Sequence, residues 1–302
     1  MLHIVFGPVS SRRFGISLGV DLSPAQKCCN FDCVYCELTA AKSVTAIKNP
    51  PSVEQVIAEV KVALAAHPHI DVITLTANGE PTLYPDLVRL AHELNLIKGR
   101  AKTLILSNGS GVLDPQICEA LKGLDIVKFS LDSAMQKTFA RIDRSGEKID
   151  IDELVGAMAK FRREFKGELV LEILVVKGLN DTRAEFEALN AALNQILPTR
   201  VDISTIARPP AYPVKGVSRE LLYELAQQIF GVPCVIASAK YGDEKFELSK
   251  EELLELVKRR PQSENDVTNS FSESSKQNLH ELLADGKIKI VDAAGTKFYR
   301  LA

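Results

Sequence analysis

The chain has 302 residues, 46% hydrophobic and 25% charged, with a formal net charge of -2. This is ordinary globular chemistry with room for one large domain plus a small one, and it excludes a global electrostatic drive toward nucleic acid. The opening Met1-Leu2-His3-Ile4-Val5-Phe6-Gly7-Pro8 lacks the basic start and long apolar core of a secretory signal, and no apolar run approaches a membrane span. A cytoplasmic protein that does not enter membranes is therefore expected, and its six cysteines read as reduced thiols, for which metal binding outranks disulfides.

Strands are predicted at Gly15–Leu22, Val72–Ala77, Thr103–Ser107, Ile126–Leu131, Leu169–Val176 and Val201–Ala207. Helical periodicity falls between and after them, at Val53–Ala66, Pro85–Leu96, Pro115–Leu121, Asp152–Phe165, Arg183–Ile196 and Ser218–Phe230. Such alternation predicts a parallel α/β sheet; six units suggest a partial (β/α)6 TIM-like barrel over residues 1–240, with a doubly wound sheet as the alternative. One connection, Pro24 to Pro51, has no periodicity, and long structureless loops in compact domains are often functional.

From about Leu248 the character changes. Ser249–Arg259 reads as a helix with a Ser249/Glu252 capping box. A polar stretch follows, then a helical face at Leu279, Leu282 and Leu283, then a hairpin of Lys287–Val291 and Lys297–Leu301 around Asp292-Ala293-Ala294-Gly295. That order predicts a small winged-helix-like domain over residues 248–302. Its second long helix offers Lys276 against Glu273, Glu281 and Asp285, the wrong field for duplex DNA. The hairpin's Lys287, Lys289, Lys297 and Arg300 leave RNA contact open.

The unpatterned loop holds Cys29, Cys33 and Cys36 with three and two residues between them, and Tyr35 precedes the last. Three thiolates in one loop suit a cubane cluster that keeps one iron open, or a zinc knuckle. The second predicted strand ends in Asn78-Gly79-Glu80-Pro81, the third in Ser107-Asn108-Gly109, the fourth in Ser130-Leu131-Asp132, and the sixth runs into Arg208-Pro209-Pro210. Carboxyl ends of barrel strands are where such folds do chemistry. Arg208 before two prolines is presented on a rigid segment suited to a carboxylate or phosphate, or to a surface salt bridge. Ser130 and Asp132 also suit helix N-capping.

The C-x3-C-x2-C spacing with its aromatic resembles the radical S-adenosylmethionine (radical SAM) superfamily. The resemblance implies a [4Fe-4S] cluster on Cys29, Cys33 and Cys36 whose open iron takes the amino and carboxylate groups of SAM. It implies further that Tyr35 flanks the adenine and that Asn78, Gly79, Glu80 and Pro81 receive the amino group, Asn78 standing where the family pattern has Gly. Asn108, Ser130 and Asp132 then match contacts to the carboxylate and ribose.

With Phe6–Gly15 and Arg208-Pro209-Pro210, the set is similar to the branch related to wyosine-base synthases. No cysteine precedes Cys28, so that branch's second cluster and its pyruvate chemistry do not carry over. The implied activity is reductive cleavage of SAM to a 5′-deoxyadenosyl radical that abstracts hydrogen from a substrate, with a flavodoxin or ferredoxin as electron donor and a modified RNA base among the allowed substrates. The rival reading is a redox-sensing regulator with an iron–sulfur or zinc loop. All candidate ligands precede Leu248, so the carboxy-terminal unit is expected to be dispensable for SAM cleavage itself.

Overall fold

The computed structural model describes residues 4–11, 13–236, 245–293 and 296–302. The expected boundary at residue 240 and the hairpin tip at 294–295 lie outside them.

Seven strands run parallel in sequence order: β2 (Gly15–Asp21), β3 (Val72–Thr76), β4 (Lys102–Ser107), β5 (Ile126–Ser130), β6 (Glu168–Val175), β7 (Arg200–Thr205) and β8 (Cys234–Ile236). β1 (Val5–Ser11) pairs antiparallel with β2 and completes the eight-stranded sheet. Between the parallel strands lie α1 (Val53–Ala66), α2 (Leu87–Ile97), α3 (Pro115–Lys122), α4 (Gln136–Ile142), α5 (Ile151–Glu164), α6 (Arg183–Ile196) and α7 (Arg219–Ala226). This is a partial TIM-like barrel. Helix α1 shows why such segments are legible. Ser52 and Gln55 form a capping box, and Val53, Val56, Ile57 and Val60 make one buried stripe.

Three of the barrel's strands and helices escaped the sequence pattern. Gly7 and Pro8 interrupt the alternation of β1, β8 is three residues long, and α4 has seven residues. Elements that short carry too few periodic positions to stand out.

Inside the barrel the lowest layer is apolar, with Val72, Leu104, Ile126 and Val170 packed beside Phe14. The next layer is charged. Lys128 Nζ lies 2.8 Å from Glu172 Oε2 and 3.5 Å from Asp202 Oδ2. Arg13 Nη1 lies 2.8 Å from Glu172 Oε1, and its Nε 3.0 Å from Asp202. Burial opposes ionisation of Glu172, but Lys128 and Arg13 win and hold its carboxyl at about 2. A carboxylate depressed in the folded state stabilises it above the unfolded pKa, and that contribution fades as pH falls from about 4.5 toward 2. Glu172→Gln is therefore expected to cost up to about 3 kcal/mol at neutral pH. Thermal melts should show parent and variant converging as the pH is lowered through that window.

The carboxy-terminal unit comprises α8 (Lys250–Arg259), β9 (Gln262–Ser263), α9 (Glu264–Ser270), α10 (Glu273–Ala284), β10 (Ile288–Ala293) and β11 (Thr296–Leu301), its sheet ordered β10-β11-β9. This is a winged-helix-like arrangement, and the Ser249/Glu252 capping box is present. Its core joins Phe246, Leu253, Leu256, Leu279, Leu282 and Tyr299 to Val9 of β1. Packing therefore begins before Leu248 and reaches across to the barrel's edge strand. On α10, Lys276 is paired with Glu273 at 2.6 Å. Among the described residues no helix is long and apolar enough to cross a membrane.

Candidate metal centre

The loop from Pro24 to Pro51 has almost no regular structure, so its backbone groups need partners elsewhere. They find them at the carboxyl ends of the strands. Cys28 N–H donates to the Asn78 carbonyl at 2.8 Å, and Glu80 N–H donates to the Cys28 carbonyl at 2.8 Å. This short parallel bridge puts Gly79 against Cys28 with φ at +137°. Further along, Val34 N–H donates to Ile142 O of α4 at 2.9 Å and Asp32 N–H to Asp143 O at 3.2 Å. Ala211 N–H reaches the Cys36 carbonyl at 2.8 Å. Cys28, Phe31, Val34 and Ile47 are buried beneath. The loop is thus anchored along its length to the strand ends and to α4.

Side chains repeat the pattern. Asn108 Nδ2, beyond β4, donates to Asn30 Oδ1 at 2.7 Å. Tyr35 OH donates to Asp132 Oδ2, beyond β5, at 2.5 Å. Arg208, beyond β7, lies 3.2 Å from Glu37 Oε2, and Tyr212 OH donates to Asp32. Of the candidate residues outside the loop, all but Ser130 are tied to it directly or through the Asn78–Pro81 turn. Ser130 shares a strand face with Lys128 and pairs in register with Glu172.

These ties change what several side chains can offer a ligand. Asp132 is 1% exposed, and its other oxygen accepts Leu174 N–H at 2.7 Å. Burial pushes its carboxyl up to about 7. Asp132 orients Tyr35, and it caps no helix: the N-cap of α4 is Met135, with no side-chain cap. That corrects the helix-capping expectation for Asp132.

Glu80 is 2% exposed. Its Oε1 accepts Thr82 N–H at 3.0 Å and the Thr82 hydroxyl at 2.7 Å, and its Oε2 accepts Asn108 N–H at 2.7 Å. Pro81 opens the 3-10 turn that Glu80 caps. The Asn78 carbonyl accepts from both Cys28 N–H and the Ser23 hydroxyl, which uses its two lone pairs. Among the described residues none donates to the Gly79 carbonyl.

The three thiols fit a cluster. Burial pushes Cys29 up to about 12, with the Glu80 charge adding to it. Cys33 is raised well above the thiol range by burial and then by Asp143, and Cys36 is raised by burial against the opposing charge of Lys27. Cys29 and Cys36 also act on Cys33, so the sulfurs share one site. Thiols this desolvated ionise when a metal supplies the positive charge. Phe31 N–H points at Cys29 Sγ from 3.4 Å, the kind of donor that stabilises a cluster thiolate. Among the described residues no three His, Cys, Asp or Glu side chains converge as ligands of a single ion do. Thiolates that each take a separate iron need no such convergence.

Sequence reasoning missed Asp21, Asn30, Asp143 and α4 as parts of this site. Asp21 carried a signal, a carboxylate closing an otherwise apolar strand. The others matter only through partners distant in the chain. A pocket of about 440 Å3 lies at the opposite, amino-terminal mouth of the barrel, lined by Arg13, Phe14, Lys102 and Arg200. Of its cations, Lys102 is paired with Glu168 at 2.7 Å and Arg200 with Asp202 at 2.9 Å.

The sequence profile of the radical SAM superfamily matches residues 24–189, more than half of the chain and all of the cysteine loop. The chain belongs to the radical SAM superfamily. Members use a [4Fe-4S] cluster and SAM. A UPF0026 protein of Helicobacter pylori is 40% identical over 299 residues, 98% of this chain and 97% of that relative. Among solved structures, a radical SAM methyltransferase from Sphaerobacter thermophilus shares the fold with a TM-score of 0.54 at 19% identity, covering 73% of this chain and 66% of that one. The match to TYW1 with a lysine-pyruvate adduct covers 94% of this chain and 80% of that one, at 15% identity and a TM-score of 0.48.

Proposed function

We propose that this radical SAM protein is an oxidoreductase-type enzyme of the cytoplasm that cleaves SAM reductively and uses the resulting 5′-deoxyadenosyl radical to take hydrogen from its substrate. The observation that carries the proposal is convergence: strand-end residues from β3, β4, β5 and β7 bond to one cysteine loop, and β2 joins them through the turn at Asn78. When bound, the cluster on Cys29, Cys33 and Cys36 supplies the electron and the open iron for SAM.

The chain does the positioning. The Gly79 carbonyl is the acceptor left for the SAM amino group. Tyr35, with its hydroxyl held by Asp132, offers only its ring for the adenine. Ser130 stands in the lumen for the ribose or carboxylate. Arg208, its charge shared with Glu37, suits an anionic group at the rim. Because Asn108 spends its amide on Asn30, its contribution is to hold the loop. A flavodoxin or ferredoxin is the expected electron donor, and a modified RNA base is the first substrate class to test.

Anaerobic reconstitution with iron and sulfide should give a brown protein that forms 5′-deoxyadenosine and methionine once dithionite and SAM are added. A colourless zinc protein that forms no nucleoside would overturn the reading.

A further inference from the structure

Every candidate ligand lies upstream of Leu248, yet the carboxy-terminal unit reaches the turn at Asn78. Arg259, at the end of α8, is 7% exposed in its side chain and places Nε 2.9 Å from Asp21 Oδ2. Asp21 closes β2 and is 2% exposed. Its other oxygen, Oδ1, accepts Asn78 N–H at 2.8 Å and Ser23 N–H at 3.0 Å. One buried carboxylate thus holds a cation from the carboxy-terminal unit and, through its second oxygen, the first residue of the turn. Arg259 is itself fixed, by Glu255 one helical turn back and by the Phe6 ring 5.4 Å beneath its guanidinium.

We infer that Arg259 is a positioning residue for SAM: acting through Asp21, it fixes the Asn78–Pro81 turn so that the Gly79 carbonyl meets the ligand. The carboxy-terminal unit is then part of the SAM site, against the expectation from sequence that it is dispensable. This rests on reading that turn as the SAM amino site.

The physics is that of a buried ion pair. Removing one partner leaves a charge in a low-dielectric site, and the stranded group takes a proton or moves. Either response weakens the charge-assisted bond to Asn78 N–H, and the Gly79 carbonyl loses its placement. The cysteine ligands are untouched, so cluster content separates this role from a general structural one.

The test uses the full chain with Arg259→Gln, Arg259→Lys and the double variant Asp21→Asn/Arg259→Gln. Three quantities are read: iron per chain after reconstitution, backbone hydrogen exchange over residues 78–81 without the cluster, and SAM affinity of the reconstituted protein by equilibrium dialysis. Arg259→Gln should keep its iron, exchange faster at the turn and bind SAM about tenfold more weakly. Arg259→Lys should fall between it and the parent, because it keeps the charge but not the fork. In the double variant an amide oxygen still accepts Asn78 N–H with no buried charge to neutralise, so affinity should return to within about threefold of the parent.

Unchanged exchange and affinity in Arg259→Gln, or no recovery in the double variant, overturns the inference. Faster exchange with full SAM affinity instead removes the reading of the turn as the SAM site, and the inference with it. Should Arg259→Gln fail to fold, the other two variants decide by the same comparison.

Discussion

Cys29→Ala, Cys33→Ala and Cys36→Ala are each expected to abolish the visible absorbance of the reconstituted cluster and all 5′-deoxyadenosine formation, while Cys28→Ala retains both. Three thiolates are the fewest that leave one iron open while holding the other three. Cys29, Cys33 and Cys36 act on one another electrostatically and sit partly buried at the same site. Cys28 is built in differently. It is 1% exposed within the barrel core, and its backbone is engaged on both sides by Asn78 and Glu80. Its sulfur lies 3.8 Å from Gln26 Nε2 and belongs to the buried apolar cluster.

Neighbouring side chains on an extended stretch point in opposite directions, so a loop that buries Cys28 turns Cys29 outward. Cys28→Ala loses a small buried group, at about 1 kcal/mol. Iron and sulfide analysis with anaerobic product assay decides. Retention of full SAM cleavage in any of the three ligand variants, or its loss in Cys28→Ala, would move the ligand register and undo the assignment.

The barrel was legible because strands covered on both faces leave continuous apolar runs, as in Val72–Thr76 and Leu169–Val175, and because capped amphipathic helices separate them. The cysteine motif was legible for a related reason: its signal lies in local spacing, within one loop. What could not be read was the set of ties that turns the loop into a site. Asn30 meets Asn108 across 78 positions, Tyr35 meets Asp132 across 97, and Arg259 meets Asp21 across 238.

Each of these pairings is a product of topology, so a residue's role depends on what the fold sets opposite it. Asp132 shows the consequence. A polar residue at a strand end looks like the cap of the next helix, yet the fold sets this one against Tyr35 and Leu174 instead. The same logic raises the carboxy-terminal unit from an appendage to a neighbour of the site, since only folding brings α8 to β2.

Gly79→Ala is expected to disable cluster assembly and SAM binding together, the only single substitution in the Asn78–Pro81 turn for which both losses are predicted. A methyl group there would lie 1.8 Å from the Cys28 carbonyl oxygen and 2.3 Å from its carbon, both backbone atoms that no rotamer change can move. The φ of +137° is also one that side-chain-bearing residues rarely adopt, at a cost of about 1–3 kcal/mol by itself. Relief requires the chain to separate at Cys28, which breaks the 2.8 Å bonds from Cys28 N–H to Asn78 O and from Glu80 N–H to Cys28 O.

Each lost bond adds about 1 kcal/mol, for a total on the order of 3–5 kcal/mol. The damage falls on the residue preceding Cys29, so the first thiolate leaves its place along with the turn. Gly99→Ala is the control. Gly99 also has positive φ, at +58°, but a methyl there meets nothing within 4 Å, so only the backbone term of about 1 kcal/mol applies. Thermal melts of both variants, with iron content and SAM dialysis, separate strain from clash. A Gly79→Ala protein that loads iron and binds SAM as the parent does would show that the bridge between Cys28 and Gly79 is not what holds the loop in register.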